Sequence, residues 1–305
     1  MLAWLRLVRL PNLATAVADP LAGFLICSGL TAVVWPPVPC WLAVVASLAF
    51  YAAGMVLNDV SDLALDRVER PERPLPSGAI PVARAAVVGK LLLALGAAAA
   101  CGAAVVAAAP WPALVGAALT GAIWLYNQHA KGTVLGPAVM GGCRGLNWLL
   151  GMTAAGGPTT LPQWAIPVGM SLYVAGITLF AQDEAGQSRR TTLVAGMLLM
   201  VAGLATAAGS VWLPWLDGIT RVATLPARSW LVCWGLLAVS ILIRAGQAIQ
   251  HPAAARVRAA VGNAIMAIIT LDAVLVLAAC GERWAVVVLA LLAWFLLGRR
   301  LVPPT

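Results

Sequence analysis

Between Leu91 and Ala130 the chain carries no Asp, Glu, Lys or Arg, and apolar stretches of seventeen residues or more recur from end to end. Each can cross the roughly 30 Å hydrocarbon core of a bilayer as a helix, a task that takes about 20 residues. The composition leans the same way. Of the 305 residues 62% are apolar and 10% charged, with a mean hydropathy of +0.94, against about half apolar and a quarter charged in soluble domains. The chain therefore reads as an all-α integral membrane protein embedded in a lipid bilayer.

Breaks at charges, Pro and Gly divide the apolar sequence into ten candidate spans, near 12–34, 41–60, 84–108, 111–127, 134–155, 162–181, 192–213, 229–249, 259–280 and 284–298. At about 1.5 Å per residue the last reaches only about 22 Å, so it is expected to fall short of a full crossing or to lie partly in the interface. All but three of the 19 Lys and Arg residues fall on one side of this arrangement; Arg221, Arg228 and Arg283 are the exceptions. The positive-inside rule makes that side, with the N-terminus, cytoplasmic, and places the protein in the plasma (inner) membrane. Arg6 and Arg9 precede the first apolar run without a small-residue cleavage site, which favours a retained span over a removed signal.

The net charge of +8 thus concerns membrane orientation, because the basic residues are scattered over short loops rather than gathered on a soluble face that could hold nucleic acid. Six cysteines form no C-x-x-C pair and read as small packing residues. His129 and His251 stand apart from any ligand-like spacing. Asp19 and Asp272 are acids inside apolar runs, where an ionisable side chain is a functional candidate by default. Asp19 precedes Pro20 and could instead satisfy a broken backbone turn; Asp272 has no evident partner.

Against this background "NDVSDLALDRVERPERPLPSG", residues 58–78, is conspicuous for its charge. Asp59, Asp62 and Asp66 are spaced i, i+3, i+7 and would share one helix face. Two explanations stand: a divalent cation such as Mg2+ held among the carboxylates, with Asn58 adding a neutral oxygen, or a solvated, salt-bridged loop. Hard oxygen ligands of this kind suit an ion that also bridges to phosphates.

The whole stretch, acids plus trailing Arg70, Arg73, Pro74, Leu75, Ser77 and Gly78, resembles the composite N-D-x-x-D-x-x-x-D…R-x-x-R-P-L-x-S-G signature of the UbiA superfamily of intramembrane prenyltransferases. Three further segments are similar to that family. They are "LRLVRLPNLATAVADPLAG" (5–23) with Arg9 and Asn12, "WLYNQHAKGTVLGPAVMGGCRGLNWLLGM" (124–152) with Tyr126, Lys131, Arg144 and Asn147, and "YVAGITLFAQDEAGQSRRTTL" (173–193). Within the family, the first segment and the L-N-W-L-L-G-M phrase look like the EboC-like branch, associated with bacterial secondary-metabolite clusters.

The resemblance implies one transmembrane domain over 1–305, a bundle of nine to ten helices around a central cavity. It implies a Mg2+-dependent transfer of an isoprenyl group from a prenyl diphosphate to a small lipophilic acceptor. Asn58, Asp59, Asp62 and Asp66 would hold metal, with Asp183 and Glu184 as a second site. Lys131, Arg73 and Arg144 would neutralise the departing diphosphate, and Asn12, Arg70, Asn147, Arg189 and Arg190 would help bind substrate. Tyr126, Trp124 and Trp148 could face the allylic cation, although aromatics at span ends often serve as interfacial anchors.

One part departs from the pattern. A second D-x-x-x-D is expected near 183, but Gln187 stands where its second acid belongs. The alternative that this departure opens is a non-catalytic membrane carrier or scaffold that keeps the fold and the cavity. An ion-coupled transporter is a third reading, against which the acids cluster at the cytoplasmic edge rather than the midplane.

Overall fold

The structure, a computed structural model, describes residues 2–29, 35–182, 189–216, 221–222 and 225–302. In chain order, α1 (Leu2–Leu7) and a 3-10 turn (Leu10–Asn12) lead into α2 (Leu13–Ser28), α3 (Val38–Ser61) and the short α4 (Leu63–Glu69). Next come α5 (Val82–Val106), α6 (Trp111–Leu125), which continues as a π turn (Tyr126–Ala130), and α7 (Gly136–Ala154). Then follow α8 (Leu161–Phe180), α9 (Arg190–Ala207) and α10 (Gly209–Leu216). The paired two-residue strands β1 (Arg221–Val222) and β2 (Leu225–Pro226) precede α11 (Ala227–Gln250), α12 (Ala254–Cys280) and α13 (Glu282–Leu301).

A long helix stands at each of the ten expected spans, and eight described helices are long and apolar enough to cross a membrane. The two outside that set have physical reasons. α6 has only 15 residues before its π turn, and α7 is diluted by glycines, Arg144 and Asn147, which serve the interior rather than the lipid. The last span is longer than expected: α13 has 20 residues and carries Arg283, Arg299 and Arg300 within its ends. Terminal arginines on long stems reach polar surroundings from a helix that still crosses.

The bundle is built around α2, whose residues Ala14 to Ile26 are all buried and which packs against α3, α7, α12 and α13. A helix apolar and buried all round belongs at a centre. Pro20 lies inside it and has no N–H for the carbonyl of Ala16. The Ser47 hydroxyl, from α3, donates to that carbonyl at 2.6 Å. In a membrane interior, where water cannot satisfy a freed carbonyl, this cross-helix bond takes its place.

Close backbone approach holds other seams. A Cβ on Gly151 of α7 would stand 2.0 Å from the Pro20 carbonyl oxygen, and one on Gly23 of α2 would stand 2.7 Å from that of Trp148. On α8 and α9, Gly176 and Gly196 face each other's carbonyls, at 2.6 and 2.8 Å from such added carbons. Small residues that let helices touch are the usual means of packing in lipid, where apolar burial alone does not favour protein over acyl chains.

Two stability outcomes follow. Ser47→Ala leaves the Ala16 carbonyl without a donor and is expected to destabilise by about 1–3 kcal/mol, read as a lowered melting temperature in detergent. Gly151→Ala is expected to cost about 1–3 kcal/mol by overpacking against backbone. Gly142→Ala, on the same helix with nothing within 4 Å of the added carbon, is the matched control and should leave the melting temperature unchanged.

Candidate functional site

The acidic segment straddles a break in the helix. α3 ends at Ser61, Asp62 takes φ −85° and ψ 0°, and α4 begins at Leu63. Helical hydrogen bonds nevertheless run through the break, from Asp62 N–H to the Asn58 carbonyl and from Asp66 N–H to that of Asp62. The three aspartates therefore stay on one side of a nearly continuous helical path. Asn58, Asp59 and Asp66 are buried and Asp62 is half-buried.

Each acid is turned to a basic partner. Arg73 Nη1 donates to both Asp66 oxygens at 2.9 and 2.8 Å and lies 3.9 Å from Asp59 Oδ1. Arg9 Nη2 stands 3.5 Å from the same Asp59 oxygen, which has no hydrogen bond. Lys131 Nζ pairs with Asp62 Oδ2 and donates to Asn58 Oδ1 at 2.8 Å, while Asn58 Nδ2 donates to Asp62 Oδ2 at 3.1 Å. Three carboxylates thus face three cations.

Local backbone chemistry brings those cations in. Arg73 opens a compact turn in which Ser77 N–H bonds the Arg73 carbonyl, Ile80 N–H bonds that of Pro74, and Gly78 takes φ +74°. Leu75 and Ile80 pin this turn to Leu7 of α1 and Val56 of α3 in a small apolar cluster of their own. Arg9 adopts a left-handed conformation, φ 52° and ψ 57°, in the bend between α1 and the 3-10 turn. That conformation costs a non-glycine residue about 1–2 kcal/mol. Lys131 leaves the π turn, whose closing bond runs from Lys131 N–H to the Tyr126 carbonyl. Such turns recur at functional sites because they rotate the side chains that follow.

Below this charged mouth lies a cavity of about 380 Å³. Arg9, Asn12, Tyr51, Asn58, Tyr126 and Asn127 lie in its polar part, and Phe50, Leu119, Ile123, Ile177, Ile265 and Ile268 in its apolar wall. One space thus offers charge at one end and hydrocarbon along its sides, which suits a molecule with an anionic head and a greasy tail.

Arg144 and Asn147 also line the cavity, but they engage a different acid. Arg144 Nη1 lies 3.0 Å from Asp19 Oδ2 and 3.5 Å from Thr15 Oγ1, and Asn147 Nδ2 donates to the same Asp19 oxygen at 2.7 Å. Asp272 of α12 stands beside Asp19, and both are fully buried. Asp19 is therefore a charge partner, and the Pro20 break is filled by Ser47 instead. The Asp272 partner that sequence order hid is at the other end of the chain.

Several expected site residues are placed elsewhere. Arg189 and Arg190 are exposed at the start of α9, Arg190 donating to the Gln250 carbonyl at 3.1 Å, and neither lines the cavity. Arg70 is half-buried just before the Arg73 turn. Of the three aromatic candidates only Tyr126 lines the cavity; Trp148 is fully buried in the bundle and Trp124 is exposed, edge-on to His129. Asp183, Glu184 and Gln187 lie outside the described residues. Among the described residues no three acids converge on one point in a metal-holding group. Asp66 is drawn to Arg73, which leaves Asn58, Asp59 and Asp62 as the candidate metal-holding oxygens; Asp59 Oδ1 is buried, accepts no hydrogen bond and is held only by its ion pairs to Arg9 at 3.5 Å and Arg73 at 3.9 Å. Tyr51 and Asn127 were not singled out from sequence, although polar side chains within spans were the available signal.

Arg73→Met removes the partner of two buried acids. It is expected to cost about 3–5 kcal/mol and to raise the rate of limited proteolysis in residues 70–80, whose turn it closes.

A family model described as UbiA prenyltransferase family matches residues 21–262. The digeranylgeranylglyceryl phosphate synthase of Methanopyrus kandleri is 28% identical over 277 residues, covering 81% of this chain and 93% of the relative. Its counterpart in Sulfurisphaera tokodaii is 32% identical over 94 residues, covering 31% of this chain and 33% of the relative, so the chain spans about a third of that protein's length. A solved UbiA homolog from Aeropyrum pernix K1 superposes with a TM-score of 0.64 at 19% identity, over 87% of this chain and 97% of that one. A UbiA homolog from Archaeoglobus fulgidus, solved bound to DMAPP and Mg2+, gives 0.58 at 15% identity, over 88% and 98%. These two likenesses concern the fold.

Proposed function

This chain belongs to the UbiA prenyltransferase family, and from that premise we propose that it transfers an isoprenyl group from a prenyl diphosphate to a small lipophilic acceptor, with Mg2+. The observation that carries the proposal is the cavity, lined at its polar end by Arg9 and Asn58, which pair with Asp59 and Lys131 of the charged cluster, and walled by apolar side chains. An A. fulgidus homolog solved with DMAPP and Mg2+ supports the donor class. The first-span phrase and L-N-W-L-L-G-M support placement in the EboC-like branch, and hence an acceptor from secondary metabolism rather than a glyceryl phosphate. The charge asymmetry of the loops supports a cytoplasmic mouth in the plasma membrane.

Asp59 and Asp62, with Asn58 and with Asp66 behind them, would hold Mg2+, and Asp183 and Glu184 would contribute from the second segment. When bound, the metal supplies positive charge to the diphosphate oxygens. The chain's own residues do the rest. Lys131 and Arg73 donate to the diphosphate as its bond to the allylic carbon breaks and negative charge grows on the leaving oxygen. Arg70, Arg189 and Arg190, on the cytoplasmic side, are the cations that meet the head group as it enters. The apolar wall keeps water from the allylic cation, and the ring of Tyr126 stabilises it. The acceptor, held near Asn12, Arg144 and Asn147, bonds to that carbon and releases a proton.

In purified protein with geranyl diphosphate, Mg2+ and an acceptor panel, Asp62→Ala is expected to abolish diphosphate release while leaving the melting temperature near that of wild type. Lys131→Gln should lower kcat by about 10²-fold, and chelation of Mg2+ should stop turnover in all forms. Undiminished product from Asp62→Ala would overturn the reading. The second reading, a membrane carrier, is favoured by Gln187 in place of an acid. Donor binding without diphosphate release across the whole panel is its signature.

A further inference from the structure

The Asp19–Arg144–Asp272 cluster lies away from the acids of the mouth. Along α2, Asn12 and Thr15 line the cavity and Asp19 lies seven residues beyond Asn12, about 10 Å deeper along the helix axis. Arg144 stands in the cavity wall with its side chain only 10% exposed. Its Nη1 serves Asp19 and Thr15, whereas its Nε and Nη2 have no hydrogen-bond partner among the described residues. The three N–H groups on these two nitrogens, buried in the cavity wall, are costly unless something accepts from them.

What can accept from them is set by the charges behind them. Asp19 and Asp272 are adjacent, both fully buried and both outside the cavity lining. Neither Asp272 oxygen receives a hydrogen bond among the described residues. Tyr173, the other titratable group nearby, donates its hydroxyl to the Ala264 carbonyl at 2.9 Å. Whether the two carboxyl groups hold one proton between them or none, the cluster's net charge is zero or −1. The positive charge of Arg144 is therefore already cancelled on its far side, and an anion brought to its near side meets no net attraction in a low-dielectric setting. A carbonyl or hydroxyl oxygen can accept from Nε and Nη2 without bringing a charge out of water.

We propose that Arg144, neutralised by Asp19 and Asp272, is the acceptor-recognition residue, and that it selects an acceptor by a neutral oxygen rather than by a carboxylate or phosphate. This rests on the transferase reading for what the bound molecule then undergoes, but the binding preference stands apart from turnover. It also gives Arg144 a task other than neutralising the diphosphate, which the proposed function assigns to Lys131 and Arg73.

The test uses the full chain in nanodiscs and two matched pairs. They are 4-hydroxybenzoate with its methyl ester, and a long-chain glycerol ether with its phosphate monoester. Binding is read without donor, by tryptophan fluorescence; diphosphate release from geranyl diphosphate and Mg2+ is read separately. The neutral member of at least one pair is expected to bind about tenfold or more tightly than its anionic partner, the scale of a hydrogen bond to a charged group. Arg144→Gln should remove that binding and leave Mg2+-dependent affinity for geranyl diphosphate unchanged. The double variant Asp19→Asn, Asp272→Asn uncovers the guanidinium charge and should move the preference toward the anion by about tenfold or more. A purely packing role would not move that ratio. Tighter binding of the anions by wild type, no binding of any member, or an unchanged ratio in a folded double variant would each overturn the proposal. If the double variant does not fold, wild type and Arg144→Gln still decide it. Failure of diphosphate release with every pair strikes the transferase reading instead.

Discussion

A carboxylate in the interior of a bilayer has no water to turn to, and the arrangement of this protein's interior follows from that constraint. Asp59, Asp62 and Asp66 are supplied with Arg9, Lys131 and Arg73, and Asp19 with Arg144 and Asn147. All of these pairs but the local one of Asp66 with Arg73 join distant parts of the chain, so satisfying the charges also fixes which elements meet. Lys131 reaches Asn58 across 73 residues of sequence, and in doing so binds the π turn after α6 to the end of α3. Arg144 ties α7 to α2, which the glycine contacts at Gly23 and Gly151 bring within reach.

The mouth depends on a second, smaller apolar cluster that the main core does not touch. Leu7, Val56, Leu75, Ile80 and Ala85 pack under the turn that carries Arg73. Without that footing a seven-residue reach from Arg73 back to Asp66 would be one exposed loop conformation among many. The residues Pro74 and Leu75 are therefore as much a part of the charge arrangement as the arginine, since they decide where its guanidinium points.

Much of this was legible in the residue order, and the parts that were not share a cause. The long apolar runs announced the helices because length and hydropathy are local properties. α13 ran longer than its apolar stretch because Arg299 and Arg300 can remain helical while their side chains reach outward. The acids at 58–66 were visible as a departure from the composition, and their long trailing motif carried the family resemblance. The identity of each partner was not local. Nothing near Asp272 indicates Asp19, and nothing near Arg144 says that it would turn to Asp19 rather than to the mouth. Trp148 had the composition of a site aromatic but faces the bundle, because helix rotation, set by packing at Gly141, Gly145 and Gly151, decides which side of α7 the cavity sees.

The bond from Ser47 to Ala16 bears on how such a pocket can change. Ser47 lines the cavity, and its hydroxyl also stands in for the N–H that Pro20 lacks. A lineage under selection for a longer or bulkier prenyl chain would gain room by trimming wall residues, but this one cannot become apolar without opening the central helix. Remodelling is thereby channelled toward Phe50, Leu119 and Ile123, whose side chains face the pocket and support no backbone group. One missing amide hydrogen in α2 thus sets which wall of the chamber evolution is free to move.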